Sequence, residues 1–194
     1  VEKVEEFRYL GSTVQSNGVC FREVNKRVQT GWSGWRRVIA GVICDRRVYA
    51  RMKGKVYRTV VRPAMLYGLE TVALSKRQEA ELEVAELKML RFSLGLTRMD
   101  RFRNEFIRRT AHVGCFGDKV REVRLRWFGH VQRRDMSYIG RRMLRMEPPG
   151  RRKRRRPRRR FMDVVREDMQ VVGVKEADVE DRVVWRWMIR CSDP

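Results

Sequence analysis

Cysteine and histidine are scarce in this 194-residue sequence, and they do not occur in close pairs. A structural zinc site is usually built from closely spaced ligand pairs, so no metal site is predicted. A disulfide scaffold is not expected in a chain of this length and charge. The four cysteines, Cys20, Cys44, Cys115 and Cys191, are therefore interpreted as buried thiols of an intracellular protein.

The sequence also lacks the motifs and carboxylate arrangements of common catalytic sites. Metal-dependent chemistry on phosphodiesters needs close carboxylates, yet no two aspartates are adjacent. Asp163, Glu167 and Asp168 lie nearer to one another, but they fall on a predicted amphipathic helix and are interpreted as its solvated acidic face. Glycine-rich phosphate loops are absent. We therefore predict no catalytic residue, no cofactor and no small-molecule substrate.

Long apolar runs are missing as well, and acidic residues are outnumbered. No run approaches the roughly 20 apolar residues that span a bilayer. The 46 Lys and Arg residues exceed the 24 Asp and Glu residues and give a net charge of +22. A field of this sign attracts polyanions, and the 42% of hydrophobic residues is enough for a packed core. The expected partner is nucleic acid rather than membrane, bound by one domain or two small ones.

The apolar spacing predicts a mainly α-helical fold that starts with a short β-hairpin. Strand-forming residues between Val4 and Val14 are interrupted by Gly11, and Ser16-Asn17-Gly18 is a strong turn signal. Apolar residues spaced by three and four predict helices at residues 21–43, 49–62, 76–94, 103–111, 118–133, 161–172 and 177–190.

Individual residues predict helix ends and helix faces. Pro63 is expected to disrupt or kink the second helix, Gly68 to end its continuation, and Asp118 to cap a later helix. The predicted inner faces carry Val24, Val28, Trp32 and Trp35; Leu82, Ala85, Met89 and Phe92; Val120, Val123, Trp127 and Val131; and Val184, Trp187 and Cys191. The predicted outer acidic face carries Glu79, Glu81, Glu83 and Glu86.

A change in composition marks residues 146–160. Met146 to Gly150 is interpreted as a hinge, and nine cations occur in the next ten residues. They are Arg151, Arg152, Lys153, Arg154, Arg155, Arg156, Arg158, Arg159 and Arg160. Such a block repels itself and is expected to be extended in isolation. It is predicted to act as a phosphate clamp, as a nuclear import signal, or as both.

Several segments, taken in order, resemble non-LTR (LINE-type) retrotransposon reverse transcriptases over nearly the whole chain. Residues 7–14, Phe-Arg-Tyr-Leu-Gly-Ser-Thr-Val, and the following Ser-Asn-Gly resemble the primer grip of that family. Residues 23–28 resemble its first thumb helix, and residues 57–71 resemble its next block. Residues 124–131, Arg-Leu-Arg-Trp-Phe-Gly-His-Val, are the most specific match. The arginine-rich segment around Pro157 and the ending from residue 181 complete the order.

The resemblance implies the C-terminal part of such an enzyme, with primer grip, thumb and C-terminal region. The family's catalytic carboxylates precede the primer grip, so this chain is expected to lack polymerase activity. By position, the resemblance implies that four residues lie near the primer end: Phe7, Tyr9, Leu10 and Gly11. It implies that four basic residues lie near the duplex backbone: Lys26, Arg27, Arg36 and Arg37. Around Trp127, Arg124 and Arg126 are further expected contacts with nucleic acid.

The predicted organisation has five segments: a primer-grip-like hairpin at 1–20, a thumb-like helical region at 21–100, a basic helical region at 101–145, a Pro/Arg-rich hinge at 146–160 and C-terminal helices at 161–194.

The leading hypothesis is a non-enzymatic fragment that binds nucleic acid without strong sequence preference. The start at Val1 rather than Met also indicates a fragment. The alternatives are a co-opted nuclear or chromatin-binding module and a non-functional retroelement relic. Nuclear localisation is expected, alone or with a cytoplasmic pool. The preference for DNA or RNA and the oligomeric state stay open.

Overall fold

The computed structural model describes residues 5–9, 11–15, 20–38, 45, 47–146 and 159–194. The fold is mainly α-helical and begins with a short β-hairpin, which confirms the predicted fold class. The strands are β1 Glu6–Tyr9 and β2 Ser12–Gln15. The described α-helices are α1 Phe21–Val38, α2 Ala50–Val56, α3 Arg62–Leu66, α4 Lys76–Ser93, α5 Asn104–Ala111, α6 Phe116–Gln132, α7 Ile139–Arg145, α8 Phe161–Val172 and α9 Arg182–Met188.

The hairpin pairs β1 and β2 in antiparallel register, with Phe7 opposite Val14 and Tyr9 opposite Ser12. The chain reverses at Gly11, whose φ of +82° is a conformation that glycine adopts without steric cost. The predicted hairpin is therefore confirmed, and its turn lies at the glycine that interrupts the strand pattern. The turn predicted at residues 16–18 lies outside the described residues.

The chain divides into two compact units. Unit 1 comprises Val1–Gly68, Ser75–Lys119 and Cys191–Pro194, and unit 2 comprises Leu69–Leu74 and Val120–Arg190. The division into five segments stays a prediction. Most of the predicted hinge, residues 147–158, lies outside the part of the chain that the structure describes.

Unit 1 is built by packing α1 against α3 and α4, and α5 against α2 and α4. On the inner face of α1, Val24 and Trp35 are buried as predicted, whereas Val28 and Trp32 are half-buried. Gly31 shares this face, and a Cβ there would lie 2.5 Å from Cγ of Met65. The absence of a side chain at this position therefore lets α1 approach its neighbours closely.

The α-helical pattern of the second predicted helix is interrupted just before Pro63, and the helix then continues through α3, as predicted. Between α2 and α3, Tyr57–Val61 form a π-helical turn, in which the Arg62 N–H donates to the carbonyl of Tyr57. This wider turn changes the hydrogen-bond pattern next to the position where proline lacks an N–H, and the helix can continue. Gly68, with a φ of +77°, lies at the end of this continuation, as predicted.

Helix α4 confirms the helix predicted at 76–94, but two of its side chains lie elsewhere than expected. The helix begins after Ser75, whose Oγ accepts the N–H of Gln78 at 3.3 Å. Phe92, predicted on the inner stripe, is 57% exposed. Glu86, predicted on the outer acidic face, is completely buried because a buried arginine on α3 supplies its counter-charge.

Unit 2 has a core formed mainly by α6, α8 and the C-terminal segment. Its buried cluster consists of Leu125, Phe128, Val165, Val174, Val179, Trp185 and Ile189. Trp185 is buried and its indole N–H donates to the carbonyl of Leu125 at 3.1 Å. The prediction that Trp187 lies inside is wrong, since this side chain is 77% exposed. The reason is that a 3₁₀ turn at Glu176–Val179 precedes α9, which is shorter than predicted and buries the row of Trp185 and Ile189 instead.

Four further helices differ from expectation or confirm it. Helix α6 begins at Phe116, so Asp118 lies in its first turn and is not its N-cap. Helix α7 was not predicted from the sequence. Helices α5 and α8 are confirmed, and Gly173 ends α8 with a φ of +78°.

The three described cysteines, Cys20, Cys115 and Cys191, are half-buried and form no disulfide, whereas Cys44 lies outside the described residues. Burial raises the pKa of the Cys20 and Cys115 thiols. Among the described helices, none combines the length and the apolar character that crossing a membrane requires.

Candidate nucleic-acid interface

The hairpin in unit 1 is attached to the first turns of α1 by polar contacts. The backbone N–H of Thr13 donates to Glu23 Oε2 at 2.7 Å, and Lys26 Nζ donates to the carbonyl of Gly11 at 2.6 Å. Arg27 Nη2 donates to the same carbonyl at 3.1 Å. The structure thus brings together three of the residues selected from the sequence, Gly11, Lys26 and Arg27.

Arg27 lies in the interior, although the resemblance places it near the duplex backbone. Its Nε donates to Glu23 Oε1 at 2.6 Å, and its guanidinium lies 4.9 Å from the centre of the Tyr67 ring. Only 5% of the residue is exposed. The physical reason is that Glu23, one helical turn earlier, supplies a buried counter-charge. Arg27 therefore holds the hairpin against α1, and the exposed cationic surface of this region comes from other side chains.

The remaining selected residues of unit 1 lie at the surface or outside the described part. Phe7 is 59% exposed, and Arg36 and Arg37 are exposed in the last turn of α1. Cations are favourable at a helix C-terminus because of the helix dipole. The side chain of Tyr9 and the whole of Leu10 lie outside the described residues.

In unit 2, Arg124 is also buried, although it was expected to contact nucleic acid. Its Nη1 donates to Asp168 Oδ2 at 2.6 Å, and only 1% of the residue is exposed. Asp168, expected on a solvated face of α8, is 9% exposed. Burial raises the pKa of Asp168, and the neighbouring Arg124 opposes this rise. Arg124 and Asp168 can both be buried because each charge compensates the burial of the other.

Arg126, Arg159 and Arg160 all contact acidic side chains or backbone groups. The half-exposed Arg126 forms an ion pair with Glu122, one helical turn earlier. Arg159 donates to the carbonyl of Leu74 at 3.1 Å and pairs with Glu167. Arg160 is the N-cap residue of α8. The other cations of the run lie outside the described residues: Arg151, Arg152, Lys153, Arg154, Arg155, Arg156 and Arg158.

A cluster of three arginines in unit 2 was not found by sequence reasoning. We call Arg133, Arg182 and Arg186 the arginine cluster. Arg133 Nη1 donates to the carbonyl of Val179 at 2.8 Å, while Arg182 and Arg186 lie on one exposed face of α9. Partial burial, followed by the charges of Arg182 and Arg186, lowers the pKa of Arg133. The spacing of Arg182 and Arg186 is visible in the sequence, but nothing local connects them with Arg133.

Exposed apolar side chains interrupt the cations of α9. Trp187 is 77% exposed and Val183 is 78% exposed. An indole ring beside arginines offers a stacking surface next to positive charge, which is the combination that nucleic-acid sites use. Within the described residues, no group of three His, Cys, Asp or Glu side chains is placed to hold a metal ion. The arrangement thus offers binding groups for an anionic ligand.

Comparison with known proteins gives one distant relationship. No family model and no solved structure matches the chain. The chain is 24% identical over 140 residues to an uncharacterized transposon-derived protein of Caenorhabditis elegans. The match covers 69% of this chain and 49% of the worm protein, so the chain spans about half the length of that relative. This likeness supports a transposon origin for the chain.

Proposed function

We propose that the chain binds nucleic acid through the phosphate backbone and without strong sequence preference. The arginine cluster of unit 2 is the observation that carries this proposal. Partial burial lowers the pKa of Arg133, and the like charges of the two α9 arginines lower it further because they repel its charge. A run of phosphates would neutralise all three cations and release its own counterions.

The chemistry of the cluster favours contacts that do not depend on base sequence. Arginine contacts with phosphates fix the position of a protein on a duplex or strand but carry no sequence information. The exposed Trp187 adds a flat surface that any base can stack on. This combination supports largely non-specific binding and leaves DNA, RNA and hybrid duplexes as candidate ligands.

The proposal is tested by the salt dependence of binding to a 20-base-pair DNA duplex, an RNA duplex and a hybrid duplex. A variant combining R133Q, R182Q and R186Q should bind each duplex more weakly. If each arginine meets one phosphate, the slope of log affinity against log salt should become shallower by about 3 for B-DNA. The full chain is used throughout, and circular dichroism verifies that the variant is folded.

A matched control removes the same charge from arginines that already have acidic partners. Arg22, Arg77 and Arg166 are exposed and pair with Glu6, Glu81 and Asp163 respectively. The variant combining R22Q, R77Q and R166Q should change the slope much less than the cluster variant. Equal slopes for the two variants would show that net charge alone matters, and no binding by the unmodified chain would overturn the proposed function.

We also propose that the chain corresponds to the C-terminal part of a LINE-type reverse transcriptase and lacks the palm of that enzyme. The transposon-derived relative and the hairpin attached to the first turns of α1 support this origin. The full chain, mixed with a labelled template–primer and Mg²⁺, should bind without extending the primer. Metal-dependent synthesis by this chain alone would contradict the absence of a polymerase site.

A second candidate function is a nuclear or chromatin-binding module that uses residues 151–160 for import. The nine cations in this ten-residue segment favour it. Residues 146–160 fused to a fluorescent reporter should accumulate in the nucleus, and a reporter with glutamine at the nine positions should not. Equal distribution of both reporters would exclude an import signal.

A further inference from the structure

Two phenylalanines in unit 1 form an exposed stacked pair. The rings of Phe102 and Phe106 lie 4.9 Å apart between centroids at an interplanar angle of 17°. Phe102 is 42% exposed and Phe106 is 47% exposed, whereas the buried side of α5 carries Ile107 and Ala111. The pair therefore does not belong to the core of unit 1, and part of each ring remains available to a ligand.

Hydrogen bonds hold the segment that carries the pair. Arg91 on α4 donates to the carbonyl of Phe102 and to Asn104 Oδ1, both at 3.0 Å. Just before the pair, Asp100 Oδ2 accepts the backbone N–H of Thr97 at 2.6 Å and its hydroxyl at 2.8 Å. These bonds lower the pKa of Asp100. The rings are thus presented by an anchored segment, which reduces the entropy lost when a ligand binds.

Positive charge surrounds the pair along the chain. Arg101 and Arg103 flank Phe102 and are exposed, and Arg109 lies one helical turn after Phe106 and is exposed too. Arg98 is also exposed, whereas the acidic residues of this stretch are Asp100 and Glu105. A ligand that fits this surface must offer flat apolar groups and regularly spaced negative charge at the same time. Unpaired bases on a phosphodiester backbone have both properties.

We propose that Phe102 and Phe106 form a stacking platform for the unpaired bases of a single-stranded nucleic acid, and that Arg101, Arg103 and Arg109 contact its phosphates. The platform rests on the proposed function, nucleic-acid binding, but it lies in unit 1 and uses none of the residues of the arginine cluster. In a duplex, the flat faces of the bases are stacked on one another and are not accessible to the platform. The platform therefore gives the chain a contact with single strands that a duplex does not make.

The test replaces the aromatic faces while keeping apolar bulk. The variant combining F102L and F106L should bind a labelled 15-nucleotide oligo(U) or oligo(dT) about tenfold more weakly, since stacking of each base on an aromatic ring contributes on this scale. Its affinity for a 20-base-pair duplex should change by less than about twofold. The matched control combines F102Y and F106Y, which restore aromatic rings and should restore single-strand binding.

A charge variant tests the second half of the proposal. Combining R101Q, R103Q and R109Q should reduce the salt slope for the single strand by about 2. The platform is overturned if the leucine variant binds oligo(U) and oligo(dT) as the unmodified chain does, or if the tyrosine variant loses binding to the same extent as the leucine variant. Loss of single-strand and duplex binding together in the leucine variant would also overturn it.

The two proposals fail in distinguishable ways. If the unmodified chain binds neither duplex nor single strand, the proposed function fails and the platform fails with it. If the chain binds duplex normally and the leucine variant has no effect on single strands, only the platform fails. Oligo(U) is also compared with oligo(dU), which carries the same base, so a difference between these two assigns the preferred sugar.

Discussion

Arg62 and Glu86 form an ion pair of 3.0 Å in unit 1, and their side chains are only 4% and 0% exposed. Tyr57 donates its hydroxyl to Glu86 Oε1 at 3.0 Å, and Arg108 Nε donates to Glu86 Oε2 at 3.4 Å. Burial raises the pKa of Glu86, and Arg62 opposes that rise. A buried carboxylate with three polar partners links α2–α3, α4 and α5, so this pair is central to unit 1.

Replacing Arg62 with Met should therefore destabilise the chain strongly. The substitution removes the closest opposite charge of the buried Glu86, and breaking a buried ion pair in this way costs about 3–5 kcal/mol. Urea unfolding followed by circular dichroism measures the change. As a control, R77M breaks the exposed pair of Arg77 with Glu81 and should cost less than about 1 kcal/mol. Equal costs for the two variants would contradict the buried role of Arg62.

Asp193 should make the stability of unit 1 depend on pH in the acid range. Burial acts to raise the pKa of this carboxyl, but hydrogen bonds from the Gly114 N–H and from Arg62 outweigh it and lower the pKa below 3.8. A carboxyl whose pKa is lower in the folded state stabilises the fold above its unfolded value, and this contribution is lost as pH falls through the folded value.

The variant D193N isolates that contribution. The difference in free energy of unfolding between the unmodified chain and the variant should be constant at neutral pH and should shrink as pH falls below about 4. Urea titrations at several pH values between about 7 and 2 give this difference directly. A difference that stays constant over the whole range would show that the ionisation of Asp193 does not contribute.

Two helical glycines should respond in opposite ways to alanine. A Cβ at Gly54 in α2 would run into the backbone carbonyl of Ala111, whereas nothing lies within 4 Å of a Cβ at Gly34 in α1. G54A should therefore destabilise the chain by about 1–3 kcal/mol or more through overpacking. G34A should stabilise it by about 0.5–1 kcal/mol because alanine loses less backbone entropy. Thermal or urea unfolding of both variants tests the pair, and destabilisation by G34A would contradict the open space at that position.

The two tryptophans of α9 should differ sharply in their contribution to stability. Trp185 is completely buried and donates to the carbonyl of Leu125, whereas Trp187 is 77% exposed. W185A should cost about 3–5 kcal/mol, because a large cavity remains and the hydrogen bond of the indole is lost. W187A should change the free energy of unfolding by less than about 1 kcal/mol. A larger cost for W187A than for W185A would restore the helix face predicted from the sequence.

The sequence by itself determined the helical fold class, the opening hairpin and the approximate extent of α1, α4, α5, α6 and α8. These features follow from short-range rules: apolar residues repeat with the period of a helix, and glycines at residues 11, 68 and 173 adopt positive φ where elements end. The same rules did not predict the wider turn before Pro63, and they failed for the buried face of α9. In both places, a π-helical or 3₁₀ turn shifts the helix register, and apolar spacing does not predict such turns.

Only the tertiary structure decided which charges are buried and which are available to a ligand. Arg62 meets Glu86 across 24 positions of sequence, and Arg124 meets Asp168 across 44. Helical periodicity places charged residues on a face, but burial depends on whether folding brings an opposite charge to that face. For the same reason, Arg133 reaches the carbonyl of Val179, just before α9, only in the folded unit 2, and its charge then interacts with those of Arg182 and Arg186.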